Sequence, residues 1–423
     1  MKKTAILLMF SGLFQLHLLS QSCLPEGITF ITQAQIDSFQ VNYPGCKTIQ
    51  GFVWIRGADI SNLEGLSELD SIYGDLIIGD YWKRSNPNLI TLEGLENLNY
   101  IGEDLVLHNN LNLGSIEALS GLEKIGKSLK ILGNSHLVSL TGLEGIDSLF
   151  GVIDFQNNSE LKNFTGLNNL KYIKGGLYLF TNGGLINMEG LDSLTVVDGT
   201  VDITNHSSLN SLTGIGNLSV VNNLYISSND GLTSLLGLES LDSIKYGLVI
   251  NNNAMLTSLA GLTNLESLMG GLGISYNESL VNLSGLEGIT SIGGALNLEW
   301  NYSLSNLEGL QNIIPGSIEE LWITNNQNLS DCAIQNICQF IAGPEGSINI
   351  FNNATGCNNP HEIAEACEIT LSCLPYGNYY FLTQADIDNY PSDYSNCNKP
   401  AGFFHIAGDD IENLDSLSVI DTI

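Results

Sequence analysis

The 423-residue sequence predicts an all-β fold: a right-handed β-solenoid of about thirteen short leucine-rich coils, with disulfide-bonded N- and C-terminal caps. Three observations carry this. The glycine of each Gly-Leu or Gly-Ile step falls at 65, 94, 121, 142, 166, 190, 214, 237, 261, 285 and 309, with spacings of 23 or 24 after position 142. A fixed period of that length is the signature of a solenoid in which each repeat contacts its neighbours. At one phase of every repeat, two apolar residues flank a third residue, the period of a short strand with one face turned inward. Finally, the eight cysteines (23, 46, 332, 338, 357, 367, 373 and 397) all lie outside residues 47–331, where the repeats are.

One coil shows the logic. Residues 175–198 read GGLYLFTNGGLINMEGLDSLTVVD. Leu177 and Leu179 alternate with Tyr178 and form the strand. Leu185, Met188, Leu191, Leu194 and Val197 follow at near-regular steps of three and point inward from the other sides of the coil. Gly190 turns the chain where a side chain would crowd it. Equivalent strand pairs run from Val53/Ile55 to Ile348/Ile350 and make thirteen coils. Stacked at strand spacing they predict a rod of about 60 Å.

An asparagine recurs five residues after the first strand residue: Asn110, Asn134, Asn158, Asn182, Asn229, Asn253, Asn277, Asn301, Asn326 and Asn353. A polar binding row is one reading of this series. An internal ladder is the stronger one, because buried turn backbone needs hydrogen-bond partners. His206 interrupts the series and is predicted to substitute in the ladder; no second histidine stands near it to share a metal.

At the N-terminus, Lys2 and Lys3 precede an apolar run from Ala5 to Leu19, predicting a cleaved signal peptide over 1–21 and an exported protein. A lipoprotein reading of Cys23 is disfavoured, because Ser20 stands where the lipid-attachment motif wants leucine. Residues 22–51 are predicted to form an N-terminal cap with a Cys23–Cys46 bridge, 52–327 the solenoid, and 328–371 a C-terminal cap. In that second cap Cys332, Cys338, Cys357 and Cys367 form two bridges of open pairing. The stretch CAIQNICQFIA, 332–342, suits a short amphipathic helix covering the open end. Residues 372–402 repeat the first cap, including Cys373 and Cys397, and 403–414 repeat the start of the first coil. Residues 372–423 are therefore expected to begin a second, truncated copy, continued in a longer native chain, since one coil cannot bury its own faces.

The spacing Asn-x-x-Leu holds in coil after coil, as in Asn134 to Leu137, Asn158 to Leu161, Asn253 to Leu256 and Asn301 to Leu304. With LxIxxNxxLxxLxGLxxLxxIxG as its repeat, the chain resembles the receptor L-domain family of leucine-rich solenoids, as found in secreted proteins of Bacteroidetes. The resemblance spans about residues 47–353. It implies coils without outer helices and ligand binding through the domain, and no ligand-contact motif to transfer.

Charge narrows the function. The net charge is −31, and between Gly175 and Leu371 the one basic residue is Lys245. A nucleic-acid partner needs a basic face and is excluded; an acidic membrane surface is disfavoured, and no segment is long enough for membrane insertion. No GxSxG, HExxH or phosphate-loop motif occurs, and His108, His136, His206 and His361 are scattered. No cofactor and no metal site is predicted. Asp154 and Asp202 share an outward strand position two coils apart, about 10 Å, too wide for a glycosidase pair, which makes a polysaccharide-active β-helix enzyme a distant alternative.

The outward middle positions run Trp54, Ile77, Val106, Lys130, Asp154, Tyr178, Asp202, Tyr225, Val249, Gly273, Asn297, Trp322 and Asn349; the next row includes His108, Gln156, Phe180, Asn251, Glu299 and Phe351. Asp154, Tyr178, Phe180, Asp202 and Tyr225 form an aromatic–acidic group suited to stacking sugars or anchoring a protein partner, although strands favour aromatics anyway. The expected function is a secreted or cell-surface, non-catalytic binding or adhesion module for extracellular protein or glycan. A structural spacer carrying another domain is the alternative.

Overall fold

The computed structural model describes residues 22–422 apart from 82–84, 345, 372 and 375–376. The expected signal peptide lies outside the described residues.

Alternating apolar residues fold as the period requires. Parallel strands stack in sequence order, with the first apolar residue of each opposite that of the next: Leu105, Leu129, Ile153, Leu177, Val201, Leu224, Leu248, Leu272, Leu296, Leu321 and Ile348. The ladder starts one rung earlier than the repeat predicts, because Ile28–Phe30 pairs with Val53–Ile55. A narrower ladder of two-residue strands runs alongside, from Ser22–Cys23 through Thr48–Ile49, Ser71–Ile72 and Tyr100–Ile101 to Lys124–Ile125. It resumes as Ser148–Leu149 against Tyr172–Ile173. In Val196–Thr204 and Val220–Ser227 the two ladders merge, with a register shift between Val197 and Thr200. Three residues separate Val197 from Val201 but two separate Val221 from Leu224, and the irregularity absorbs the difference.

The core is one continuous column. Leu185, Met188, Leu191, Leu194 and Val197 are all fully buried, as are their counterparts in neighbouring coils. The turn glycines explain a correction. Gly190 has φ +99°, and a Cβ there would lie 2.2 Å from the Phe164 carbonyl group. Gly121, placed by the sequence in that series, is not its member; Ala118 holds the phase, 24 residues from Gly94 and from Gly142. Ala118 sits in a 3-10 segment, Glu117–Leu119, as Gly65 does in Glu64–Leu66, whereas Gly94 and Gly142 take left-handed φ.

Disulfides join Cys23 to Cys46, Cys332 to Cys357, Cys338 to Cys367 and Cys373 to Cys397. Helix Gln33–Asp37 is started by a capping box on Thr32, and helix Gln384–Asp393 by the same device on Thr383. Helices Gln335–Ala342 and Pro360–Ala366 follow the solenoid, with Ile337, Phe340 and Ile363 buried. Residues 377–406 continue the stack. Ile348 bridges to Gly377, Asn378 donates to Asn349 Oδ1 at 2.6 Å, and the rings of Phe351 and Tyr380 stack at 3.9 Å.

Candidate ligand-binding face

The asparagines and the outward strand residues separate into two environments. The ladder asparagines from Asn110 to Asn326 are fully buried, and Asn353 at the end of the row is partly buried. Its Nδ2 donates to a strand carbonyl of the coil before: Asn134 to Leu107 O at 2.9 Å, Asn158 to Ile131 O at 2.8 Å, Asn277 to Ile250 O at 2.9 Å. Its Oδ1 accepts from the preceding asparagine's backbone N–H, as from Asn110 to Asn134 at 3.2 Å and from Asn326 to Asn353 at 2.9 Å. The amide thus serves turn backbone that no strand partner reaches.

His206 fills the same role. Its Nδ1 accepts from Asn182 N–H at 3.2 Å, and its Nε2 donates to Leu179 O at 3.1 Å. Burial pushes its pKa down to about 4, so the neutral ring is the ladder form. Asn86 is a further rung that the sequence reading missed. It donates to Ile55 O at 3.1 Å and to Asn110 Oδ1 at 2.9 Å. Its coil is five residues longer, which carries it past the expected phase; the 29-residue glycine spacing there was the available signal.

On the outward face, the register sets Asp154, Tyr178, Asp202 and Tyr225 directly opposite one another in consecutive coils. Phe180 stands two residues beyond Tyr178, and the two rings stack at 6.3 Å. Both carboxylates are half-buried. Asp154 accepts from Gln156 Nε2 at 2.8 Å and Asp202 from Thr204 Oγ1 at 2.5 Å. Desolvation nonetheless raises both pKa values from the ordinary aspartate value. The predicted residues therefore form one contiguous strip, with Lys130, paired to Asp104 at 2.6 Å, next to Asp154 in the row.

A second aromatic group was not anticipated. From Asn110 onward the residue just before the ladder position takes left-handed φ, as at Asn109, Asn157, Thr181, Asn205, Ser228 and Asn252, all with φ between 54° and 64°. Asparagine tolerates this, whereas bulky residues adopt it rarely. Tyr276 and Trp300 occupy it at 56° and 58°, with rings parallel within 6° at 5.8 Å, and Tyr302 packs edge-on to Trp300. The break from small and polar residues was legible once the conformation is known. Two buried side-chain atoms among the described residues lack a hydrogen-bond partner, His108 Nδ1 and Asn297 Oδ1, and both belong to strand-face residues. Among the described residues no helix is long and apolar enough to cross a membrane, and no group of three His, Cys, Asp or Glu is placed to hold a metal.

Stacked leucine-rich coils of this kind define a leucine-rich-repeat β-solenoid. No family model matches the sequence, and no curated protein matches it. Among solved structures, the chain is similar to an internalin from Listeria monocytogenes strain 4b F2365, at 20% identity over 85% of this chain and 81% of that one, with a TM-score of 0.39. It is also similar to TLR13 in its complex with ssRNA13, at 12% identity over 88% and 76% of the two chains, with a TM-score of 0.18.

Proposed function

We propose that the protein is an exported, non-catalytic recognition module of receptor L-domain type, akin to secreted proteins of Bacteroidetes, that binds extracellular protein or glycan through its strand face. The carrying observation is the contrast in polar satisfaction. Ladder amides have their partners, whereas the two orphaned buried atoms, His108 Nδ1 and Asn297 Oδ1, sit on the face. So do the half-buried carboxylates Asp154, Asp202 and Glu299. Folding that leaves desolvated polar groups beside aromatic rings costs stability, and a ligand that pairs them recovers it. Four disulfides favour an oxidising, extracellular setting.

On this reading residues 1–21 are removed on export, 22–51 and 328–371 cap the solenoid of 52–327, and 372–423 open a second copy. The spacer role is favoured by one observation: the seam at Asn349, Asn378 and Tyr380 joins the copies into a continuous stack. Arrays of glycans and surface proteins, probed with the wild-type chain and the Tyr178→Ala/Tyr225→Ala variant, decide between these. A hit lost in the variant supports recognition at the predicted strip. A null from folded, oxidised protein favours the spacer.

A further inference from the structure

The two ends of the strand face carry tryptophan at the same strand position, and they differ in what covers it. Near the N-terminus, the Arg56 guanidinium lies 3.8 Å from the centre of the Trp54 ring, and its Nη1 donates to Asp80 Oδ2 at 3.1 Å. Ring, cation and carboxylate are supplied by two neighbouring coils. Trp322 is the middle residue of its strand, as Trp54 is. Thr324 stands where Arg56 would, and the sequence has no lysine or arginine between Lys245 and Lys399.

The acceptors remain. Glu320 Oε2 accepts from Trp322 Nε1 at 3.2 Å. Asn297, directly opposite Trp322, has its buried Oδ1 unpartnered. Glu299, two residues on, makes no side-chain hydrogen bond among the described residues, and burial alone pushes its pKa up. On the other side of Asn297 the row is bare. Gly273 occupies that position, and a Cβ on it would meet nothing nearer than Val249 Cγ2 at 3.8 Å. Neither crowding nor left-handed φ requires glycine there, so the residue leaves a hollow one side chain deep.

We propose that this patch, Gly273, Asn297, Glu299 and Trp322, binds an arginine side chain of a partner protein. The proposal rests on the strand-face reading and names its partner class. Guanidinium is planar, stacks on indole, and offers five donors to acceptors arranged around it. Unpartnered acceptors in a stretch without cations want donors that carry positive charge. A neutral sugar would supply the donors and forgo the charge. The chain already shows the arrangement at Trp54, where it supplies its own arginine.

The test uses the full chain and a fluorescent, end-blocked peptide of alternating glycine and arginine, with lysine and citrulline counterparts, read by anisotropy at about 0.15 M salt. Saturable binding of the arginine peptide is expected, weakened about tenfold or more by citrulline and less by lysine. Trp322→Ala and Gly273→Val each leave the net charge unchanged, so a comparable loss in both isolates the patch from the general acidity. Trp322→Tyr should restore part of the affinity, and Val41→Ala, at an exposed helix position off the strand face, should change nothing. Equal binding of arginine and citrulline peptides, absence of saturation, or full affinity in Trp322→Ala and Gly273→Val would overturn the proposal. If the proposal fails while an array hit is still lost in Tyr178→Ala/Tyr225→Ala, the strand-face reading stands and only the partner class is wrong.

Discussion

The asparagine ladder and the strand face run along the same coils, a few residues apart, and treat polar groups in opposite ways. In the ladder, Asn134 is fully buried, yet its amide bonds Leu107 O, and its Oδ1 takes the Asn110 N–H. On the face, Asn297 is partly exposed and its Oδ1 has no partner. The ladder repeats one residue type because every coil poses the same backbone problem. The face varies because no coil requires anything of it. Identity held across coils therefore marks structure here, and irregularity marks candidate function.

The comparison can be broken most forcefully at its structural side. Asn182→Ala should cost about 3 kcal/mol, because it strands the Phe155 carbonyl and the Asn158 N–H in the core. Chemical denaturation of the variant checks this. Leu191→Ala should cost a similar 2–5 kcal/mol by opening a cavity in the packed column. If Asn182→Ala were neutral, the ladder would be decoration.

A pH measurement sharpens the same point. The folded pKa of His206, about 4, lies below its ordinary value, so the unfolded chain binds the extra proton first. Its contribution is intact above about pH 6.5 and is lost as the pH falls towards 4, by about 3 kcal/mol at most. Protonated Nδ1 can no longer accept from Asn182 N–H. His206→Asn should remove that part of the acid sensitivity, and the difference between the two stability–pH curves isolates it from the carboxylates. A smaller effect is expected on the face. Tyr178→Ala/Tyr225→Ala should change stability by within about 0.5 kcal/mol per site, as outward positions do.

The solenoid was legible because a strict period couples each residue type to one environment. Leu177, Leu191 and Asn182 could be placed without coordinates for that reason. Legibility failed where the period did. Asn86 was hidden by a five-residue insertion, and Gly121 was mistaken for Ala118's phase because a glycine-leucine step recurs three residues late. The pairing of Cys332 with Cys357 and Cys338 with Cys367 depends on how two helices dock, which spacing does not encode. Tyr276 and Trp300 were passed over because a left-handed backbone is invisible in the residue letters. The row Asp154, Tyr178, Asp202 and Tyr225 could be lined up from the sequence, since parallel in-register stacking makes outward rows a matter of counting.

The most direct test of the division between ladder and face is a crossed comparison of Asn182→Ala with Tyr178→Ala/Tyr225→Ala, each measured for unfolding and for binding to whichever array ligand the wild type selects. The account predicts that Asn182→Ala lowers the unfolding midpoint and leaves the affinity of the folded protein intact, while the double tyrosine variant does the reverse. A tyrosine variant that unfolds as early as Asn182→Ala, with binding undiminished, would contradict it.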